Sequence, residues 1–184
     1  LAVKCNLPVR VIKFNSADNS IGKIKIYEDV NSDFKDLSLI KLKDVFKEYG
    51  LPISDSATAK YLNDRTSSAY HKWQRGHLGR DLTVSDIDLW KLNPDGNVQR
   101  IYELKRSYYS IERWNPFPDD YRNFRLLSNM ANIANIRFGI VYNVRQKNPF
   151  YDDISSIKVF RVDFSHRIPI VIVGVYDTNG FFNL

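Results

Sequence analysis

Residues 84–106, VSDIDLWKLNPDGNVQRIYELKR, admit very few folds. Apolar side chains recur every second residue on both sides of NPDG, which is the period of an extended strand. Pro94 presets φ for a turn and Asp95-Gly96 completes it. The pattern predicts an antiparallel hairpin with strands near Val84–Leu92 and Val98–Arg106. On the first strand Asp86, Asp88 and Trp90 share a face. On the second, Ile101, Glu103 and Lys105 share one, with Tyr102 and Leu104 opposite. Pairing Asn93 with Gly96 sets Glu103 opposite Asp86, and a two-residue shift sets it opposite Asp88. Both registers gather the charges on one face, whereas a one-residue bulge at Gly96 would split them.

The rest of the chain alternates between helical and extended patterns. Val9–Phe14 and Gly22–Tyr27 read as strands joined by the turn-rich NSADNS. Leu39, Leu42, Val45, Phe46 and Tyr49 recur at helical spacing after Ser38, and Gly50 and Pro52 stop that helix. Asp55–Arg75 reads as a second helix, weakened in the middle by NDRTSS. A third follows the loop SYYSIERWNPFP, capped by Asp119 or Asp120, with Tyr121, Phe124, Leu127, Ala131 and Ala134 as its stripe. Phe138–Val144, Ile157–Phe164 and Ile168–Val175 read as further strands, with NPFYDD a loop between the first two. No repeat or linker interrupts the pattern, so a single α/β domain around one sheet is expected over 1–184, with residues 1–37 as an N-terminal hairpin extension.

Composition narrows the function classes. Among 184 residues, 43% are hydrophobic, enough for a sizeable core, yet no apolar run reaches membrane-spanning length. The opening LAVKCNLPVRVIKF is too charged for a secretory signal. The single cysteine, Cys5, forms no internal disulfide and points to a reducing, cytoplasmic setting. His71, His77 and His166 lack zinc-ligand spacing; His71 and His77 read as helix-surface or loop residues, with assistance to catalysis as the alternative. A net charge of +6 favours an anionic partner.

Carboxylates set opposite one another repel, and burying them uncompensated costs several kcal/mol each in practice. A divalent cation resolves the conflict: hard carboxylate oxygens suit Mg²⁺, which binds through one or two carboxylates plus phosphate oxygens. Lys105 reaches the same place, where an ammonium can orient a water or offset charge at phosphorus. The alternative is a solvent-facing hairpin with ordinary cross-strand ion pairs. Downstream, Lys105, Arg106, Arg113, Arg122 and Arg125 are interleaved with aromatics in KRSYYSIERWNPFPDDYRNFR. Such a block suits phosphate neutralisation and base stacking.

An Asp on one strand, a turn, and Glu-x-Lys on the adjacent strand resemble the PD-(D/E)xK nuclease superfamily, which includes restriction endonucleases and archaeal Holliday-junction resolvases. The resemblance spans 38–145: helix, strands with Asp and Glu-x-Lys, helix, strand. It implies a restriction-endonuclease-like α/β core, a central mixed β-sheet flanked by α-helices. The strand that such a core places before the Asp strand has no clear counterpart in GHLGRDLTV, leaving the N-terminal hairpin as its source. The resemblance further implies a Mg²⁺-dependent deoxyribonuclease, with Mn²⁺ able to substitute. Asp88, Glu103 and Lys105 would be catalytic. Asp88, Glu103 and Asp86 would be metal ligands, with Asp88 favoured over Asp86, and Glu48 an accessory carboxylate. DNA would be the substrate, and a two-fold duplex target favours a homodimer. A restriction or defence enzyme comes first among the roles. A junction resolvase, a repair or recombination nuclease, and a non-catalytic nucleic-acid-binding module on the same core are the alternatives.

Overall fold

The computed structural model describes residues 1–15, 22–27, 33–57 and 68–184. Two compact units emerge, one holding Leu7–Thr83 with Ala2, the other Val84–Leu184 with Leu1 and Val3–Asn6. The boundary at Thr83/Val84 falls inside the 38–145 span of the resemblance.

The N-terminal unit contains strands β1 (Val11–Lys13), β2 (Lys23–Tyr27) and β3 (Lys35–Ser38) and helices α1 (Leu39–Glu48) and α2 (Ala69–His77). Its strands form a three-stranded antiparallel sheet in the order β1-β2-β3. This replaces the expected two-stranded hairpin, because Lys35–Ser38 pairs with β2 before Ser38 turns the chain into α1. Ser38 Oγ accepts from Lys41 N, and Gly50 ends the turn at φ +73. Ile24 and Ile26, two apart on β2, pack with Leu42, Trp73 and Leu78. The predicted helix at Asp55–Arg75 starts only at Ala69, where Ser68 Oγ caps His71 N. Residues 58–67 of that prediction, and most of NSADNS, lie outside the described residues.

The C-terminal unit is a mixed five-stranded sheet in the order β4-β5-β6-β7-β8. Its strands are β4 (Leu89–Leu92), β5 (Val98–Ser107), β6 (Arg137–Gln146), β7 (Tyr151–Val162) and β8 (Ile170–Tyr176). Only β5 and β6 are parallel. The crossover between them carries a 3₁₀ turn (Pro118–Asp120) and α3 (Tyr121–Ile133), as a parallel connection requires. Among the described residues no strand pairs with the outer side of β4. β4 is an edge, and the N-terminal strands belong to their own sheet.

Each face of this sheet has its own core. On one, Phe124, Leu127 and Ala131 of α3 pack on Ile101, Phe138, Ile140, Tyr142, Phe160 and Val162. On the other, Phe181 of the short α4 (Thr178–Phe182) packs on Tyr102, Val141, Ile157 and Val159. Val141 and Tyr142, adjacent in β6, thus serve opposite cores, as the period of two demands.

Candidate active site

The turn after β4 is one residue longer than the simplest hairpin. Asn93 N–H donates to Asn97 O at 2.9 Å, and Gly96 sits at φ +78, where L side chains are strained. A second irregularity follows: Lys91 pairs with Arg100 but Leu92 with Val98, leaving Gln99 as an extra residue. Each event shifts the register by one, and together they shift it by two, so the faces are preserved. Leu89 pairs with Tyr102 and Trp90 with Ile101. One further step sets Asp88 level with Glu103, the second of the two registers foreseen.

The ladder stops there. Instead of a backbone rung, Leu104 N–H donates to Asp88 Oδ2 at 2.8 Å. This is why β4 begins at Leu89 and not at Val84. Asp88 is tied to the Glu103-Leu104 step, while Ile87 turns into the core under α3. Asp86 lies on the exposed segment two residues earlier.

Glu103 and Lys105 point toward the α3 face with Ile101. Lys105 Nζ lies 3.0 Å from Glu103 Oε1 and 3.3 Å from Asp120 Oδ2. The side chains are 25%, 13% and 18% exposed for Lys105, Glu103 and Asp120. Lys105 Nζ also lies 5.3 Å from the Phe124 ring centroid. Burial pushes the Glu103 carboxyl up; Lys105 pulls it back, and the negative charges of Asp88 and Asp120 push it up again, so it ends above its ordinary value. Burial alone would depress Lys105, but Glu103 and Asp120 outweigh it and hold the ammonium above its ordinary range. Glu103 Oε2 is buried and has no hydrogen-bond partner among the described residues. A buried acceptor with nothing to accept from is costly.

From sequence, Asp120 reads only as a helix cap, which misses its place beside Lys105. It occupies the N-cap position of α3, yet its side chain makes no capping bond and reaches Lys105 instead. The acidic doublet Asp119-Asp120 was visible, but nothing local distinguishes a cap from a long-range partner.

The other predicted residues scatter. Arg106 alternates away from Lys105 and pairs with Asp152 at 3.2 Å. Arg113 is exposed on the loop before α3, and Arg122 is exposed in the first turn of α3. The Arg125 guanidinium lies 4.8 Å over the Phe164 ring. Trp90 is exposed. Glu48 ends α1, and His71 and His77 lie on α2; all three belong to the N-terminal unit.

Asp88 and Glu103 offer hard oxygen donors, and the orphaned Glu103 Oε2 fits a cation or a water. Among the described residues, no trio of His, Cys, Asp or Glu side chains is grouped to enclose a metal by protein ligands alone. A two-carboxylate site that leaves room for waters and phosphate is the arrangement Mg²⁺ commonly uses. Comparison of the chain with protein-family models, with curated proteins and with solved structures finds no match.

Proposed function

We propose that the chain is a metal-dependent nuclease with a restriction-endonuclease-like core in its C-terminal unit, acting on DNA phosphodiesters. The observation that carries this reading is the buried Glu103 Oε2, which lacks a hydrogen-bond partner among the described residues and sits near Asp88 and a charged Lys105. The strand–turn–strand–helix–strand order around it supports the same reading, with β5 and β6 parallel across α3.

Asp88 and Glu103 would hold Mg²⁺, with Mn²⁺ as a substitute and Asp86 within the same segment as a further carboxylate. When bound, such an ion polarises a phosphoryl oxygen and lowers the pKa of water. Lys105 does the rest. Held charged by two carboxylates, it donates to the attacking water and offsets negative charge growing at phosphorus. Asp120, 3.3 Å from the ammonium, is the second carboxylate that holds it. One water adds across a P–O bond: its oxygen joins phosphorus, and the departing ester oxygen takes up a proton.

Restriction or defence cleavage of duplex DNA by a homodimer is the leading role. A junction, repair or recombination nuclease is the second, favoured by the exposed aromatic loop described below. The test is plasmid and branched DNA incubated with the protein in Mg²⁺, Mn²⁺ or EDTA, beside Lys105→Ala. Metal-dependent cleavage lost in the variant supports the reading. Salt-sensitive binding without cleavage points instead to a non-catalytic module.

A further inference from the structure

Ten residues separate β5 from the 3₁₀ turn before α3, and both ends of this loop lie near the site. Ser107 follows Lys105 by two residues, about 7 Å along a strand. At the other end Asp120 reaches the same ammonium. Three aromatics on the loop face solvent: Tyr108, Tyr109 and Phe117 are 54%, 57% and 49% exposed. Tyr109 and Phe117 rings lie 6.4 Å apart.

The backbone beneath them is clamped. Tyr142 Oη donates to Tyr109 O at 2.5 Å. The Trp114 ring is buried and stacks on Tyr142 at 4.1 Å, nearly parallel. The buried Lys158 donates to Trp114 O at 2.8 Å and to Glu112 O at 3.4 Å. Ile111 is buried as well. The loop therefore spends two apolar side chains on its own anchoring and leaves three large rings outside on a fixed frame. An open cleft of about 570 Å³ is lined by Tyr108, Tyr109, Ser110, Glu112 and Arg113. Lys147 Nζ lies 4.6 Å from the Tyr108 centroid. Glu112 is the one acid lining the cleft.

We propose that this shelf binds an unpaired DNA strand next to the scissile bond, its bases on Tyr109 and Phe117 and its phosphates near Lys147 and Arg113. The proposal rests on the nuclease reading for its placement beside the chemistry, and it names the substrate class: DNA with a single-stranded or splayed segment. Flat rings with alternating basic groups suit bases and phosphates, because every base has a π-face to stack and every phosphate a charge to neutralise. A peptide partner would need matching pockets or strand edges, and the cleft is open.

The test is fluorescence anisotropy of the whole protein in EDTA, where cleavage is silent. The probes are a labelled 15-mer of dT, a blunt hairpin duplex and a forked duplex. Tyr109→Ala and Phe117→Ala should each weaken dT and fork binding roughly tenfold, with blunt-duplex binding changed by less than about twofold. Tyr109→Trp should retain binding, and the Tyr109→Ala melting temperature should not move, since that ring faces solvent; Phe117 also meets the Trp114 ring edge-on at 6.3 Å, so its variant is read against the blunt-duplex control. Equal affinity of wild type and alanine variants for dT and fork overturns the proposal, as does wild-type preference for the blunt duplex. Cleavage assayed separately keeps the two readings apart. Metal-dependent cutting of blunt duplex without shelf-dependent binding sinks the shelf alone, and shelf-dependent binding without cutting sinks the nuclease alone.

Discussion

Removing one ammonium should expose the tension in the site. In Lys105→Met, Glu103 and Asp120 lose the ammonium that pairs with both, with Asp88 adding to the repulsion on Glu103. Breaking a buried pair by deleting one partner costs about 3–5 kcal/mol. Partial solvent access at Asp120 and Lys105 argues for the lower end, about 3 kcal/mol at pH 8. The pH dependence has a definite sign. The folded carboxyl of Glu103 already sits above its ordinary value, with burial the largest cause, and loss of Lys105 raises it further. A raised carboxyl is harmless below its unfolded value, near 4.5, and penalises the fold as pH climbs through its folded value. The difference between wild type and variant should therefore be largest at pH 8 and shrink toward pH 4.5. Urea melts followed by circular dichroism in EDTA measure it. Repeating them in MgCl₂ adds a second reading: a cation held by Asp88 and Glu103 at tenfold its Kd returns about 1.4 kcal/mol. A variant as stable as wild type at pH 8, or destabilised equally at every pH, would refute the electrostatic account.

Asp88→Asn and Glu103→Gln should abolish metal-stimulated cleavage while DNA binding in EDTA persists or tightens, read by gel assay and anisotropy; loss with Asp86→Asn but not Asp88→Asn would transfer the ligand role. Gly139→Ala should destabilise the C-terminal unit by about 1–3 kcal/mol in thermal melts, since an added Cβ meets Phe160 O at 2.8 Å and the Tyr102 ring at 3.0 Å. Asp163 is held down to about 2, first by the Ser165 hydroxyl, then by Ser165 N–H and Asn132. Its stabilising share is present above its unfolded value near 3.8 and is lost as pH falls toward 2. Asp163→Asn should flatten that acid limb in a melting-temperature series from pH 5 to 2.

The hairpin could be read from sequence because period-two patterning and Pro94–Gly96 turn chemistry act locally, and α1 because Ser38 and Gly50 mark its ends. Lys35–Ser38 was hidden: its strand character comes from pairing with β2, which no local signal carries. The length of β4 was overestimated for a related reason, since Asp88 replaces a backbone rung with a carboxylate. β7 starts at Tyr151, inside what reads as the loop NPFYDD, because Arg145 and Gln146 supply cross-strand partners. Asp120 and Lys158 show the limit most clearly. Each is an ordinary charged residue in its own segment, and each acquires its role from atoms 15 to 46 positions away.

The bond from Leu104 N–H to the Asp88 carboxylate has a consequence for how the molecule assembles. The last rung of the hairpin is also the first fixed point of the acidic cluster, so zipping the strands and setting the cluster are one event. A chain trapped one step out of alignment would be simultaneously unlatched and without the carboxylate level with Glu103. One residue inserted into Pro94–Gly96 would therefore act as a mechanical off-switch, leaving the sheet's interior strands intact while moving the carboxylate out of place.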